Sequence, residues 1–164
     1  MSVRRSAGLL LHRLRGGQRE VLLVHPGGPF WGRRDAGAWS IPKGEYGSDE
    51  EPLAAARREF AEELGAPPAP GEPIDLGEIH QRAGKLVRAF ALAGDFDPET
   101  VVSNTCEIEW PPRSGRTLEI PEVDRAAWFG LPAAREKLLP AQVELLDRLS
   151  AALGDAGDGG EAAR

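Results

Sequence analysis

One stretch, residues 44–66, constrains this chain more than any other. Gly44 opens a turn that runs to Asp49 and Glu50, and after seven more residues come Arg58, Glu59, Phe60, Ala61, Glu62, Glu63, Leu64 and Gly65. Ser48 or Asp49 is placed to cap a helix, acids fill its first turn, Pro52 suits an early helical position and Gly65 stops it. The residues therefore predict a helix over about 51–64. At roughly 100° per residue, Leu53, Ala56, Phe60 and Leu64 form one apolar stripe that faces a core. Glu59, Glu62 and Glu63, spaced by three and four, share a second stripe about a quarter turn away, at the edge of the buried face.

Like charges at these spacings destabilise an isolated helix by roughly 0.2–0.5 kcal/mol per pair, so three clustered carboxylates need a reason. A solvated acidic face is the bland one. A bound hard cation is the sharper one, because one or two carboxylates together with substrate phosphates suit Mg²⁺ or Mn²⁺. Residues 45–63 hold seven acids against two arginines, which is most of the chain's net charge of −6. The remaining charges nearly balance, so no basic field points to a nucleic-acid polymer.

The chain has 164 residues, enough for one domain with a sizeable core. Cys106 is the single cysteine, which excludes an internal disulfide and fits a reducing cytoplasm. The apolar run Ala7–Leu11 among Arg4, Arg5, Arg13 and Arg15 is too short for a secretory core, and no stretch approaches the ~20 apolar residues that span a bilayer. The expectation is a cytoplasmic protein without a membrane partner.

Residues 6–13 and 20–25 read as two strands around Gly16 and Gly17. A glycine-rich loop then leads to a short strand at 39–42. After the helix, 66–71 reads as a linker, 74–81 and 85–94 as paired strands joined near Ala83 and Gly84, 105–110 as a strand, 111–115 as a turn, and 126–129 as a short strand. Leu138, Leu139, Val143, Leu146 and Leu149 fit one helix over roughly 132–152, bent at Pro140. The domain is expected over 1–153, with 154–164, rich in Gly, Ala and Asp, as a disordered tail. Strands before and after one helix, with a closing helix, make an α/β/α sandwich around a mixed β-sheet.

The spacing Gly44, five residues, Glu50, seven residues, Arg58, Glu59, an apolar residue, any residue, Glu62, Glu63, any residue, Gly65 resembles the Nudix box, and the chain looks like a MutT-like Nudix hydrolase. The two positions that ask for a bulky aliphatic hold Phe60 and the small Ala66. The resemblance implies the same α/β/α fold, with the box forming a loop, helix and loop. It also implies a nucleotide pyrophosphohydrolase that uses Mg²⁺ or Mn²⁺ to hydrolyse a nucleoside diphosphate linked to another group. By motif position, Glu59, Glu62 and Glu63 would bind the ion, the backbone carbonyl of Lys43 would complete its shell, Arg58 would orient a box glutamate, and Glu50 would pair with Arg58 or act as an outer ligand.

The general base is open between Glu63, Glu59 and a glutamate in a later loop. For that later role Glu122 is favoured, since it stands just ahead of the strand at 126–129; Glu107, Glu109 and Glu119 compete. Lys43, Arg33, Arg34, Lys85 and Arg88 are candidates for binding phosphate, and Trp31 for stacking a base, with solvated surface charge as the alternative for each arginine. His12, His25 and His80 show no metal spacing and are read as structural.

The segment from Lys85 to Asp97 followed by Glu122 and Trp128 is loosely similar to the diadenosine polyphosphate hydrolases, but Tyr46 is the only tyrosine, so the one those enzymes carry beyond the box is missing. The proline that marks ADP-ribose pyrophosphatases at a similar offset is also absent. A dinucleoside polyphosphate or a modified nucleoside triphosphate is the favoured substrate, and monomer and homodimer are both open. Two alternatives belong to other classes: a non-catalytic nucleotide-binding Nudix domain, and an isopentenyl diphosphate isomerase-like enzyme that would need Cys106.

Overall fold

A computed structural model describes residues 3–82 and 84–154. Its long first strand, β1 (Arg4–Arg15), is buried on both faces at its centre, which is why Ala7, Leu9, Leu10 and Leu11 run together without polar alternation. The remaining strands are β2 (Gln18–Pro26), β3 (Lys43–Glu45), β4 (Ile74–Gln81), β5 (Lys85–Ala93), β6 (Thr105–Glu109), β7 (Thr117–Pro121) and β8 (Val123–Gly130), and the helices are α1 (Pro52–Leu64), α2 (Leu131–Lys137) and α3 (Glu144–Leu153). The main sheet runs β4-β5-β1-β2-β8. Its β1–β5 pair is parallel and its other pairs are antiparallel, so the sheet is mixed.

One edge of β1 is shared. Its end, His12–Arg15, pairs with β2, and its start, Ser6–Gly8, pairs with β3. This division leaves β3 beside α1 and fixes where the site forms. On one face of the sheet Leu9, Leu11, Leu22 and Val24 pack with Ala56, Phe60 and Leu64 of α1. On the other, Leu10, Val21 and Leu23 pack with Leu131, Leu138, Leu145 and Leu149. The result is the expected α/β/α sandwich, and burying Phe60 alone stabilises it by about 1.5–3 kcal/mol. Among the described residues no helix is long and apolar enough to cross a membrane.

Several elements differ from the sequence reading. The helix at the box starts at Pro52 and its N-cap is Glu51, with no side-chain cap from Ser48 or Asp49; the acids stand before the first turn, not in it. Gly65 does stop it, with φ 87°, a left-handed conformation that favours glycine. The strand expected at 39–42 is only two isolated bridges, Trp39 to Leu138 and Ser40 to Val24, and regular pairing begins at Lys43.

The single helix expected over 132–152 is two, α2 and α3. Pro140 pushes Leu139 into an extended conformation, and Trp39 captures the freed backbone: Leu139 N–H donates to the Trp39 carbonyl at 2.8 Å and Trp39 N–H to that of Lys137 at 2.9 Å. Strand β7 was not expected at all. It pairs with β6 in a separate two-stranded sheet whose side chains are mostly exposed. Of the expected tail, residues 155–164 lie outside the described residues, as does Ala83 in the joint between β4 and β5.

Candidate active site

The site begins where β3 passes under α1. An ideal Cβ on Gly44 would lie 2.0 Å from Cδ of Glu59, so the Glu59 carboxyl group occupies the space any side chain at 44 would need. That close approach is the physical reason for a glycine at the start of the motif. Glu59 and Glu63 are 8% and 7% exposed, whereas the Glu62 side chain is 41% exposed. The two buried acids face the sheet and the third faces outward, as a stripe at the edge of the buried face requires.

Arg58 organises the exposed side. Its Nε and Nη2 donate to the two oxygens of Glu50 at 2.9 Å each, a bidentate pair, and its Nη1 donates to Glu59 at 2.8 Å and to Glu62 at 3.3 Å. These bonds pull the Glu50 carboxyl below its usual range and push the guanidinium up. The expected roles of Glu50 as partner of Arg58 and of Arg58 as an orienting group both have their geometry here.

Behind them lies an open cavity of about 170 Å³. Val24, Pro26, Ile41 and Val123 make its apolar wall, and Lys43, Glu63 and Glu122 bring charge to it. Burial first, then the neighbouring charges of Glu122 and Glu59, push the Glu63 carboxyl up to about 8, against the opposing pull of Lys43. Glu59 is raised by burial more than Arg58 lowers it, and Glu122 is raised by burial and by Glu62. The Lys43 ammonium is lowered by burial. A group of buried and half-buried carboxylates that raise one another is the condition a bound cation relieves.

The donors Glu59, Glu62 and Glu63, with the Lys43 carbonyl, are all oxygens, a set that fits Mg²⁺ or Mn²⁺. Among the described residues no three potential ligand side chains converge on one point as they stand. Glu59 and Glu62 both contact Arg58, Glu59 through Oε2 alone.

Glu122 reaches the cavity from the junction of β7 and β8, where its N–H donates to the Asn104 carbonyl at 2.9 Å and its carbonyl accepts from Gly27 N–H at 3.2 Å. Of the competing acids, Glu107, Glu109 and Glu119 are exposed on the β6–β7 hairpin and none lines the cavity. Lys85 is close enough to Lys43 for their charges to repel, but is not in the cavity wall. Arg33 and Arg34 are exposed on the loop after β2, with Arg34 over the Phe30 ring, and Trp31 packs against the core. Arg88 is held by Asp75. Trp39 and Ile41 are both buried.

The sequence model of the NUDIX domain matches residues 3–149. The chain belongs to the Nudix hydrolase family. As a Nudix pyrophosphohydrolase it is a hydrolase of phosphoanhydride bonds. Among solved structures it is similar to a Caenorhabditis elegans Ap4A hydrolase in a binary complex, at 23% identity and a TM-score of 0.61, covering 93% of this chain and 98% of that one. It is similar also to the NUDIX domain of Shewanella oneidensis NrtR complexed with ADP ribose, at 17% identity and a TM-score of 0.60, covering 93% and 90%. A mutT/nudix family protein from Listeria innocua matches at 18% identity and a TM-score of 0.61, covering 94% and 96%. At these identities the likeness is one of fold. No curated protein matches the chain at a significant level.

The sequence marks His25 as structural without its contacts, and it does not mark Ser103 and Asn104 at all. His25 is fully buried, with Nδ1 3.0 Å from Asp124 and Nε2 2.6 Å from the Arg34 carbonyl, which ties the loop after β2 to β8. Ser103 and Asn104, in a segment without periodicity, hold the backbone at Glu122. No residue pattern marks either, because both depend on contacts between segments far apart in the chain.

Proposed function

We propose that this Nudix enzyme hydrolyses a nucleoside diphosphate linked to another group, with a dinucleoside polyphosphate or a modified nucleoside triphosphate as substrate. The observation that carries this reading is the convergence of Lys43, Glu63 and Glu122 on one cavity beside the Gly44–Glu59 contact. Glu59, Glu62, Glu63 and the Lys43 carbonyl would hold Mg²⁺ or Mn²⁺, which neutralises phosphate charge and acidifies water when bound.

In this reading a water attacks phosphorus, and the anhydride P–O bond breaks with its electron pair leaving on the departing phosphate. Glu122 accepts the proton of the attacking water. Its raised affinity for a proton brings it nearer to neutral pH, where a general base works best. The Lys43 ammonium is the cation on the cavity wall that pairs with a phosphate oxygen. Arg58 holds Glu59 in orientation while Glu50 holds Arg58.

The isomerase alternative gains nothing from the structure, since the Cys106 thiol is pushed up by burial and by Glu122 and does not line the cavity. The test is product analysis with Mg²⁺ and diadenosine tetraphosphate, oxidised and ordinary nucleoside triphosphates, ADP-ribose and nucleotide sugars. Release of ATP and AMP from the first, or of a monophosphate from a triphosphate, supports the reading. No cleavage anywhere in the panel contradicts it and returns the chain to nucleotide binding without catalysis.

A further inference from the structure

Glu122 stands at a junction between two short strands, yet its backbone is tied on both sides, through its N–H and through its carbonyl. Asn104 forms the first link: its N–H donates to the Glu62 carbonyl in α1 at 2.9 Å, and its own carbonyl accepts from Glu122 N–H at 2.9 Å. Val102 N–H adds a second tie to α1, donating to the Leu64 carbonyl at 3.1 Å. Segment 102–104 thus couples the end of the glutamate-bearing helix to Glu122. On the other side, the Glu122 carbonyl accepts from Gly27.

Ser103 is the side chain that bridges segment 102–104 to β8. Its Oγ donates to the Asn104 carbonyl at 2.7 Å, the same oxygen that receives Glu122 N–H, and it accepts from Val123 N–H at 3.0 Å. The hydroxyl therefore holds the Val123 amide directly and reaches the Glu122 amide through the Asn104 carbonyl that both bind. Two backbone N–H groups flanking one residue, bound to one carbonyl and one hydroxyl that are themselves bonded, leave little freedom for the direction in which that residue's side chain leaves the chain.

We propose that Ser103 is a positioning residue for Glu122, setting the carboxylate against Glu63 and the helix by holding the Val123 amide and anchoring the Asn104 carbonyl that binds the Glu122 amide. The proposal rests on the reading of Glu122 as the general base. A misplacement on the order of 1 Å costs about a hundredfold in rate, so losing this bond lowers kcat without removing any group that touches substrate.

The test uses the full chain and whichever of diadenosine tetraphosphate, ADP-ribose and a nucleoside triphosphate it cleaves fastest. Ser103→Ala is expected to lower kcat by roughly tenfold to a hundredfold with KM within about twofold, and Ser103→Thr, which keeps the hydroxyl, to restore most of it. In a Glu122→Gln background, Ser103→Ala should cost almost nothing further. An equal loss in both backgrounds, or a Ser103→Ala enzyme with normal kcat, overturns the positioning role. Full activity in Glu122→Gln alone overturns instead the assignment of the base. Amide hydrogen exchange at Val123 gives a readout independent of turnover: faster exchange in Ser103→Ala is expected, and unchanged exchange overturns the proposal.

Discussion

Gly44 and Glu63 show how single residues set the chemistry of this site. A methyl group at 44 meets the Glu59 carboxyl group at 2.0 Å, so Gly44→Ala must displace the carboxylate. The expected outcome is a loss of turnover of about a hundredfold with a destabilisation of roughly 1–3 kcal/mol, read by steady-state kinetics and chemical denaturation. Glu63 carries a pH signature. Its carboxyl binds a proton far more tightly in the folded chain, up to about 8, than in the unfolded one near 4.5. The folded state therefore holds the extra proton, and the stability this contributes is complete below pH 4.5 and is lost as pH rises through 8. In metal-free buffer the protein should melt progressively lower from pH 5 to pH 8, and Glu63→Gln should flatten that slope and melt above the wild type at pH 8. A parallel fall in both proteins would assign the pH dependence to other groups.

At the scale of elements, the box helix was legible and the closing helices were not. The apolar stripe of Ala56, Phe60 and Leu64 and the stop at Gly65 stand in the residues themselves, because one helix face and one glycine decide them locally. The leucines from 138 to 149 also have helical spacing, and Pro140 marks where it breaks, but the full separation of α2 from α3 depends on Trp39, about a hundred residues earlier, which captures the backbone at Leu138 and Leu139. Strand β7 was illegible for a different reason: Leu118 is exposed and Ile120 only half-buried, so the strand has no buried face to impose alternation.

Gln142 belongs to the same long-range class. Fully buried in the turn between α2 and α3, it accepts from Ile41 N–H at 2.9 Å and donates to Ser40 and Gln81 at 3.0 Å each. Gln142→Ala leaves the Ile41 amide unpaired in the core and should cost about 1–3 kcal/mol, with β3 and the cavity wall loosened next to it. A denaturation midpoint equal to that of the wild type would show that water or a neighbouring group replaces the amide.

For the molecule as a whole, the sandwich and the box glutamates could be read from the chain, since both rest on short-range spacing, whereas the cavity could not. The cavity exists because β1 divides its edge between β2 and β3, which places Lys43 beside Glu63, and because segment 102–104 brings Glu122 back to α1. Position ahead of a strand was enough to single out Glu122 but not to show what holds it there. If these buried carboxylates carry phosphoanhydride hydrolysis, removing the charge of one of them must abolish most of it. The most direct measurement compares the initial rate of Glu63→Gln with that of the wild type on the best nucleotide substrate in Mg²⁺, with melting curves of both. Glu63→Gln should lose at least about a hundredfold in rate while melting no lower than the wild type; near-normal turnover would show that Glu63 does not carry the reaction.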